Sequence, residues 1–196
     1  MMRRFLITLS LCCFAVTSVL ADGCCECATK SYNPFFGDFR HQVALNIGAG
    51  IDSGIIVPLP ARFVPFAELH VQYSVPSTLF YFPSRLSLNV TQTIGFGRRY
   101  GWDWDDYSIP IIYLTKDVAF AHGRNWYAGM GAGGGFQVAE NDRIGSKLVF
   151  TLKLFAGYRI NERATTEIYV KHFSNGNTAP ENNSYAFYGM GMTYNF

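Results

Sequence analysis

The chain has little charge: only 15% of its 196 residues are Asp, Glu, Lys or Arg, whereas soluble domains carry about 25%. It is rich in apolar residues instead, with 49% hydrophobic and 16% aromatic side chains. Such a composition excludes a disordered chain, which would lack apolar residues. It also argues against a nucleic-acid partner, which would require clustered basic charge, and against an ordinary cytosolic enzyme.

Cysteine is scarce and confined to the N-terminal region. Cys12 and Cys13 lie in the first apolar segment, and Cys24, Cys25 and Cys27 follow it closely. No second group of Cys or His could complete a metal site with them, so we expect no metal and no cofactor. Since three cysteines cannot all pair within one chain, we interpret residues 22–37 as a tethered or disordered extension and place the folded domain at residues 38–196.

Residues 1–21 have the pattern of a cleaved secretory signal peptide. Arg3 and Arg4 precede the uncharged apolar stretch Phe5–Leu20, and Ala21 supplies a small residue at the cleavage position. An N-terminal membrane anchor is the alternative. The two arginines account for the formal charge of +2, so the mature chain is formally neutral. Export of the chain is therefore predicted, with no basic surface in the mature protein.

Long apolar runs are also missing after residue 21, since no later segment has the roughly 20 uncharged apolar residues of a membrane-spanning helix. What the chain has is alternation with a period of two, which predicts β-strands. Met190, Met192 and Tyr194, for example, alternate with Gly191 and Thr193. Eight such runs occur, at residues 39–47, 65–73, 86–96, 107–120, 126–138, 148–158, 165–174 and 188–196.

Eight alternating strands of about ten residues predict an all-β fold: an eight-stranded antiparallel transmembrane β-barrel of the outer-membrane type. A secreted β-sandwich would also alternate, but it would hide its apolar face in a core. Here the other face carries the charges, which could pair inside a narrow lumen: Arg40, Glu68, His70, Lys147, Lys153, Arg159, Glu167 and Lys171. Glycines at 129, 131, 133 and 135 leave room for these side chains.

The C-terminal strand ends in Phe196 and has apolar residues at every second position before it. This pattern resembles the assembly signal of Gram-negative outer-membrane barrels, which implies the outer membrane as location and its assembly machinery as a partner. With both chain ends in the periplasm, the odd-numbered connections face outside. These connections are residues 51–63, 97–106, 139–146 and 175–183.

A candidate active site lies at the outer end of the seventh predicted strand. His172 and Ser174 are two residues apart, so their Cα atoms lie about 6–7 Å apart on one face of a strand. That face also carries Ile168 and Val170 and should point towards lipid. A base and a hydroxyl at this range could form an activated nucleophile. The alternative is that the strand leaves the membrane here and tolerates polar residues.

The run His172-Phe173-Ser174-Asn175-Gly176-Asn177, with Pro180 and Asn182 after it, resembles the outer-membrane lipid A deacylases, a family that includes proteins labelled acyloxyacyl hydrolases. The segment Tyr113–Val118 and the Phe-terminated last strand add to the likeness, which spans residues 38–196. The resemblance implies that Ser174 is the nucleophile and His172 its general base. It also implies that Asn175 and Gly176 contribute to the oxyanion hole.

The chain departs from this family at one position. Well-known members have a Glu about twelve residues after the Ser to orient the His, but this chain has Ala186 there. Glu181 is the only acid in the preceding loop, and Asn183 is the alternative orienting residue.

Two hypotheses for the function follow. In the first, the protein is a serine esterase that removes an ester-linked acyl chain from lipid A of lipopolysaccharide, with Arg98 and Arg99 binding lipid phosphates. In the second, it is a non-catalytic structural or host-contact barrel. A pore is a further reading, which crowding of the lumen by paired charges disfavours. The oligomeric state stays open, a homodimer included.

Overall fold

A computed structural model describes residues 32–52, 62–96, 98–99, 102–103, 107–141, 143–182 and 184–196. Eight long strands form one closed antiparallel barrel. Two short strands of two residues each pair with one another in the connection between the third and fourth long strands. The strands are β1 (Gln42–Asp52), β2 (Arg62–Leu79), β3 (Phe82–Gly95), β4 (Arg98–Arg99), β5 (Trp102–Asp103), β6 (Pro110–His122), β7 (Trp126–Gln137), β8 (Leu148–Arg159), β9 (Ala164–Ser174) and β10 (Tyr185–Asn195).

The barrel closes where β1 pairs with β10, from Gln42 opposite Asn195 to Gly50 opposite Phe187. Every other long strand pairs with its sequence neighbour among the long strands. The predicted eight-stranded antiparallel barrel is therefore confirmed. Among the described residues, no helix has the length and hydropathy to cross a membrane.

The period of two in the sequence separates two faces of the barrel wall. Outward side chains are apolar and exposed, as at Ile47 and Ile168, each 60% exposed. Aromatic side chains lie on this wall near the end that carries the chain termini, including Trp126, Tyr158 and Tyr194. An exposed apolar band with aromatic residues at its edge is the surface of a barrel in contact with lipid.

The lumen is filled by a network of buried ion pairs. Arg85 is fully buried and contacts Asp117 and Glu167, both at 2.8 Å. Lys153 reaches the same two acids, and Lys171 pairs with Glu68 at 2.7 Å. Buried charges of opposite sign satisfy one another in this way, whereas a lone buried charge would be costly.

Two of the predicted lumen charges lie elsewhere. Arg40 precedes β1 and is exposed, and Lys147 is exposed in the connection between β7 and β8. Each lies just beyond the end of a strand, where the inward and outward alternation no longer applies.

Residues 32–37 close the lumen at the end that carries the chain termini, with residues 34–36 buried inside it. Phe35 and Phe36 are fully buried and pack with Tyr127, Phe155 and Tyr169. The Phe35 ring lies 4.7 Å from the Tyr127 ring and 4.6 Å from the Arg85 guanidinium carbon. The sequence predicts a tethered or disordered extension over residues 22–37, and of this range residues 32–37 form a plug of the barrel in the structure. The predicted signal peptide and the cysteines at 24, 25 and 27 lie outside the described residues.

The glycines of β7 make room for lumen side chains, as predicted. A Cβ on Gly131 would overlap the carboxylate of Asp117, and one on Gly129 would lie 2.9 Å from the Phe155 ring. The opposite end of the lumen is filled by a second aromatic and aliphatic cluster. Its buried members are Phe66, Tyr107, Ile111, Tyr113, Ile144, Val149, Phe173, Tyr185 and Phe187.

Candidate active site

His172 and Ser174 lie on the outer face of β9, in the last three residues of that strand. Lys171 and Phe173, which alternate with them along the strand, are buried in the lumen, while Ile168 on the same outer face is exposed. His172 and Ser174 themselves are half-buried. The alternation of β9 therefore presents one imidazole and one hydroxyl on the outside of the barrel, at the end opposite the chain termini.

Cross-strand neighbours shape the surroundings of both side chains. His172 pairs with Leu152 on β8 and with Ala186 on β10, and Ser174 pairs with Phe150. Phe150 also lies against the next turn, because a Cβ on Gly176 would come within 2.8 Å of its ring. The polar pair thus lies between an apolar strand on one side and the small Ala186 on the other.

The Nδ1 atom of His172 is buried, and no residue that the structure describes forms a hydrogen bond to it. A buried polar atom without a partner is rare in folded proteins. Directly opposite His172, Ala186 has a side chain with no polar atom and is 3% exposed. Ala186 therefore occupies the cross-strand position from which a polar side chain could orient the imidazole, and it presents only a methyl group there.

Asn175 follows β9 and organises the connection to β10. Its side-chain nitrogen donates to the carbonyls of Ile144 at 2.5 Å, Glu181 at 2.7 Å and Ala179 at 3.3 Å. Its Oδ1 accepts from the backbone of Asn177, and its own backbone N–H donates to Oδ1 of Asn182. The donors of Asn175 are thus engaged within this loop and with the β7–β8 connection.

Gly176 adopts a φ of 62°, a left-handed conformation that favours glycine. Its backbone N–H makes no hydrogen bond to any other residue that the structure describes. Of the two residues assigned to an oxyanion hole by resemblance, Gly176 is the one with a free backbone donor.

Glu181, the acid predicted to orient the imidazole, is not brought to His172. Glu181 is exposed, and its carboxylate lies 2.9 Å from where a Cβ on Gly145 would be. No hydrogen bond or ion pair joins Glu181 to His172. Asn183 lies outside the described residues. Arg98 and Arg99 form β4, paired with β5, and their side chains lie outside the described part of the structure.

Two loop residues that contact this region carry no signal in the sequence. Asn141 and Arg143 lie between β7 and β8. In the sequence they resemble ordinary solvated loop residues, and no spacing or motif distinguishes them. Their roles depend on contacts between loops that are distant in sequence. In the part of the chain that the structure describes, no cluster of three or more His, Cys, Asp or Glu residues could hold a metal ion.

Fold and site together define a class: an outer-membrane β-barrel with a polar pair on its outer wall. The family model described as lipid A 3-O-deacylase (PagL) matches residues 67–195, well over half of the chain. The chain therefore belongs to the lipid A 3-O-deacylase family, a family of outer-membrane ester hydrolases, which confirms the sequence resemblance.

Solved structures of other barrels are similar to this one. The outer membrane enzyme PagL is 14% identical with a TM-score of 0.48, covering 79% of this chain and 99% of that one. Neisserial surface protein A (NspA) is 12% identical, with a TM-score of 0.50 and coverage of 80% and 96%. Ail of Yersinia pestis is 10% identical, with a TM-score of 0.50 and coverage of 81% and 100%. No curated protein matches the chain. At such identities, the likeness to NspA and Ail shows the barrel fold alone.

Proposed function

We propose that this protein is a serine esterase of the Gram-negative outer membrane that removes an ester-linked acyl chain from lipid A. The observation that carries the proposal is the position of His172 and Ser174 on the lipid-facing side of β9 at its outer end. Polar side chains on such a wall cost free energy unless they are used. An acyl ester in the outer leaflet would meet them there, whereas a soluble substrate would not.

In the proposed reaction, the Ser174 hydroxyl oxygen attacks the ester carbonyl carbon while Nε2 of His172 takes the hydroxyl proton. The tetrahedral intermediate then collapses, and the departing lipid A oxygen receives that proton. Water hydrolyses the acyl-Ser174 ester with His172 again as base, releasing the fatty acid. No metal or cofactor takes part in these steps.

Oxyanion stabilisation is assigned to backbone donors just after Ser174. The free N–H of Gly176 supports this role, since donors aimed at the developing negative charge stabilise the transition state. The N–H of Asn175 would join it only by giving up its bond to Asn182. We assign Arg98 and Arg99, in the outer connection between β3 and β6, to the phosphates of lipid A.

The geometry of His172 implies slow catalysis. If Nε2 acts as the base, the neutral ring carries its proton on Nδ1, which is buried without an acceptor among the described residues. An unsatisfied buried donor costs about 1–3 kcal/mol. The same observation favours the second candidate function, a non-catalytic barrel that presents its outer loops to a host or to other surface molecules.

Mass spectrometry of lipid A tests the proposal. Cells that express the wild-type protein should lose one acyl chain from lipid A, and cells that express Ser174→Ala or His172→Ala should not. Thr166→Ala is a matched control, because Thr166 is a hydroxyl residue on the outer face of the same strand but near its other end. Unchanged lipid A with well-folded wild-type protein would reject the esterase and leave the non-catalytic barrel.

A further inference from the structure

In the connection between β7 and β8, Asn141 forms a hydrogen-bonded turn with the residues at 143–145. Oδ1 of Asn141 accepts hydrogen bonds from the backbone N–H groups of Arg143, at 3.1 Å, and Ile144, at 2.9 Å. The carbonyl of Asn141 accepts from Gly145, which has a φ of 62°. A short polar side chain that binds the following backbone in this way fixes the loop conformation.

This turn forms hydrogen bonds to Ser184 and Tyr185, where β10 begins. Nε of Arg143 donates to the carbonyl of Ser184, and the side-chain nitrogen of Asn141 donates to the Tyr185 hydroxyl at 2.6 Å. The Arg143 guanidinium is buried among aromatic rings. Its Cζ atom lies 5.7 Å from the centre of the Tyr185 ring and 5.4 Å from the centre of the Phe66 ring. A planar cation stacked on rings is a rigid anchor, which Lys would not replace.

The same turn also holds the residues that follow Ser174. The carbonyl of Ile144 accepts from the Asn175 side chain. Gly145 packs against Glu181, leaving no room for a Cβ between them. The β7–β8 turn thus contacts both ends of the loop that joins β9 to β10.

The held segment contains unusual backbone conformations. Of the three described non-glycine residues with positive φ, two lie in this loop: Asn177 at 63° and Ser184 at 56°. Such conformations cost about 1–3 kcal/mol and persist only where surrounding contacts impose them. The pairing of β9 with β10 ends at Phe173 opposite Tyr185, and Ser174 and Ser184 are the residues directly beyond this last pair. The strained residue that Arg143 holds therefore lies next to the same cross-strand pair as the proposed nucleophile.

We propose that Asn141, Arg143, Ile144 and Gly145 form a clamp that fixes the geometry around Ser174, with Arg143 as its main positioning residue. Arg143 does not touch the substrate; it acts by holding Ser184 and the outer end of β10. The inference rests on the proposed esterase function and adds a determinant of its rate. Binding of lipid A to the outer wall is expected to be independent of the clamp.

Kinetics on purified protein in mixed micelles with lipid A test the clamp. Arg143→Gln should lower kcat about tenfold or more and leave KM within about twofold, while the folded barrel is retained in gel mobility. Arg143→Lys should not restore kcat.

Asn141→Ala and Tyr185→Phe should each lower kcat, and their double variant should lower it no further than the stronger single change. Lys147→Gln, exposed and adjacent to the same turn, is the control and should match wild type.

Amide hydrogen exchange gives a second readout that does not depend on activity. In Arg143→Gln, exchange of residues 175–184 should become faster, and exchange in β1–β3 should not change. An active wild type with unchanged kcat and unchanged exchange in Arg143→Gln would overturn the clamp alone. A folded wild type that releases no acyl chain would overturn the proposed function, and with it the catalytic role of the clamp.

Discussion

The side chain opposite His172 decides how well the imidazole is oriented. Ala186 pairs with His172 across β9 and β10 and offers Nδ1 no partner. We predict that Ala186→Glu raises kcat for acyl release by at least about tenfold, since an acid bonded to the distal nitrogen of a catalytic His sets its tautomer and stabilises the imidazolium. Rates of fatty-acid release from lipid A in micelles would measure the gain.

Two comparisons isolate the effect of the carboxylate. Ala186→Gln can fix the tautomer but supplies no charge, so its gain should be smaller. Tyr188→Glu places the same acid on the same face, opposite Val170 instead of His172, and should give no gain. An unchanged or lower rate in folded Ala186→Glu would contradict the view that the free Nδ1 slows the reaction.

At this scale the sequence predicts which way a residue faces but not what lies beside it. The period of two on β9 was sufficient to assign His172 and Ser174 to the outer face. The partner of His172 depends on the pairing register of β9 with β10, which the length and conformation of the connecting loop determine. For the same reason, sequence proximity suggested Glu181, whose carboxylate lies beside Gly145 instead.

Among the strands, β7 is the one most dependent on glycine. A Cβ on Gly133 would overlap the carbonyl oxygen of Leu114 on β6, whereas a Cβ on Gly134 would lie 3.3 Å from the nearest atom. We predict that Gly133→Ala destabilises the barrel by about 1–3 kcal/mol through overpacking. Gly134→Ala should have an effect of at most about 0.5 kcal/mol.

Urea unfolding in lipid vesicles, followed by tryptophan fluorescence, would measure both variants. The two changes add the same methyl group to adjacent residues of one strand, so intrinsic strand propensity is matched. Equal midpoints for Gly133→Ala and Gly134→Ala would show that the inward face of β7 is not tightly packed.

The plug of residues 32–37 is an element in its own right. Besides its aromatic contacts, the carbonyl of Phe35 accepts from Gln42 and Asn195, and that of Pro34 accepts from Arg159. We predict that Phe35→Ala lowers the free energy of unfolding by about 3–5 kcal/mol, as for other buried Phe residues.

Unfolding in the same vesicles would test the role of the plug. Phe80→Ala is the control, because Phe80 is 73% exposed at the same end of the barrel. If both variants unfolded at the wild-type midpoint, the packing of Phe35 would contribute nothing to stability.

The strands could be predicted and the plug could not, for a physical reason. Eight strands of about ten residues each repeat the alternation often enough to show a period. The sequence Asn33-Pro34-Phe35-Phe36-Gly37 is too short for any period and contains Pro and Gly, which are typical of a loop. Its structure depends on a cavity lined by Tyr127, Phe155 and Tyr169, which exists only after the barrel has closed.

Over the whole molecule, charge and apolar surface are separated by the barrel wall. Arg85, Lys153 and Lys171 face Glu68, Asp117 and Glu167 in the lumen, so three cations meet three anions there. The lipid-facing surface is apolar, apart from a few residues that include His172 and Ser174. The barrel therefore pairs six of the chain's 30 charged residues inside the lumen, and it still presents two polar groups on the wall that faces lipid.

The orientation of the barrel decides whether those two groups can meet lipid A. In a background with Cys24, Cys25 and Cys27 replaced by Ser, we predict that Lys147→Cys reacts with a membrane-impermeant maleimide on intact cells. Arg124→Cys, exposed at the opposite end of the barrel, should react only after the outer membrane is permeabilised. Even-numbered connections of such barrels face the periplasm, which is the reason for the difference. The reverse pattern would place Ser174 at the inner leaflet, away from lipid A, and would exclude the proposed reaction whatever the geometry of the site.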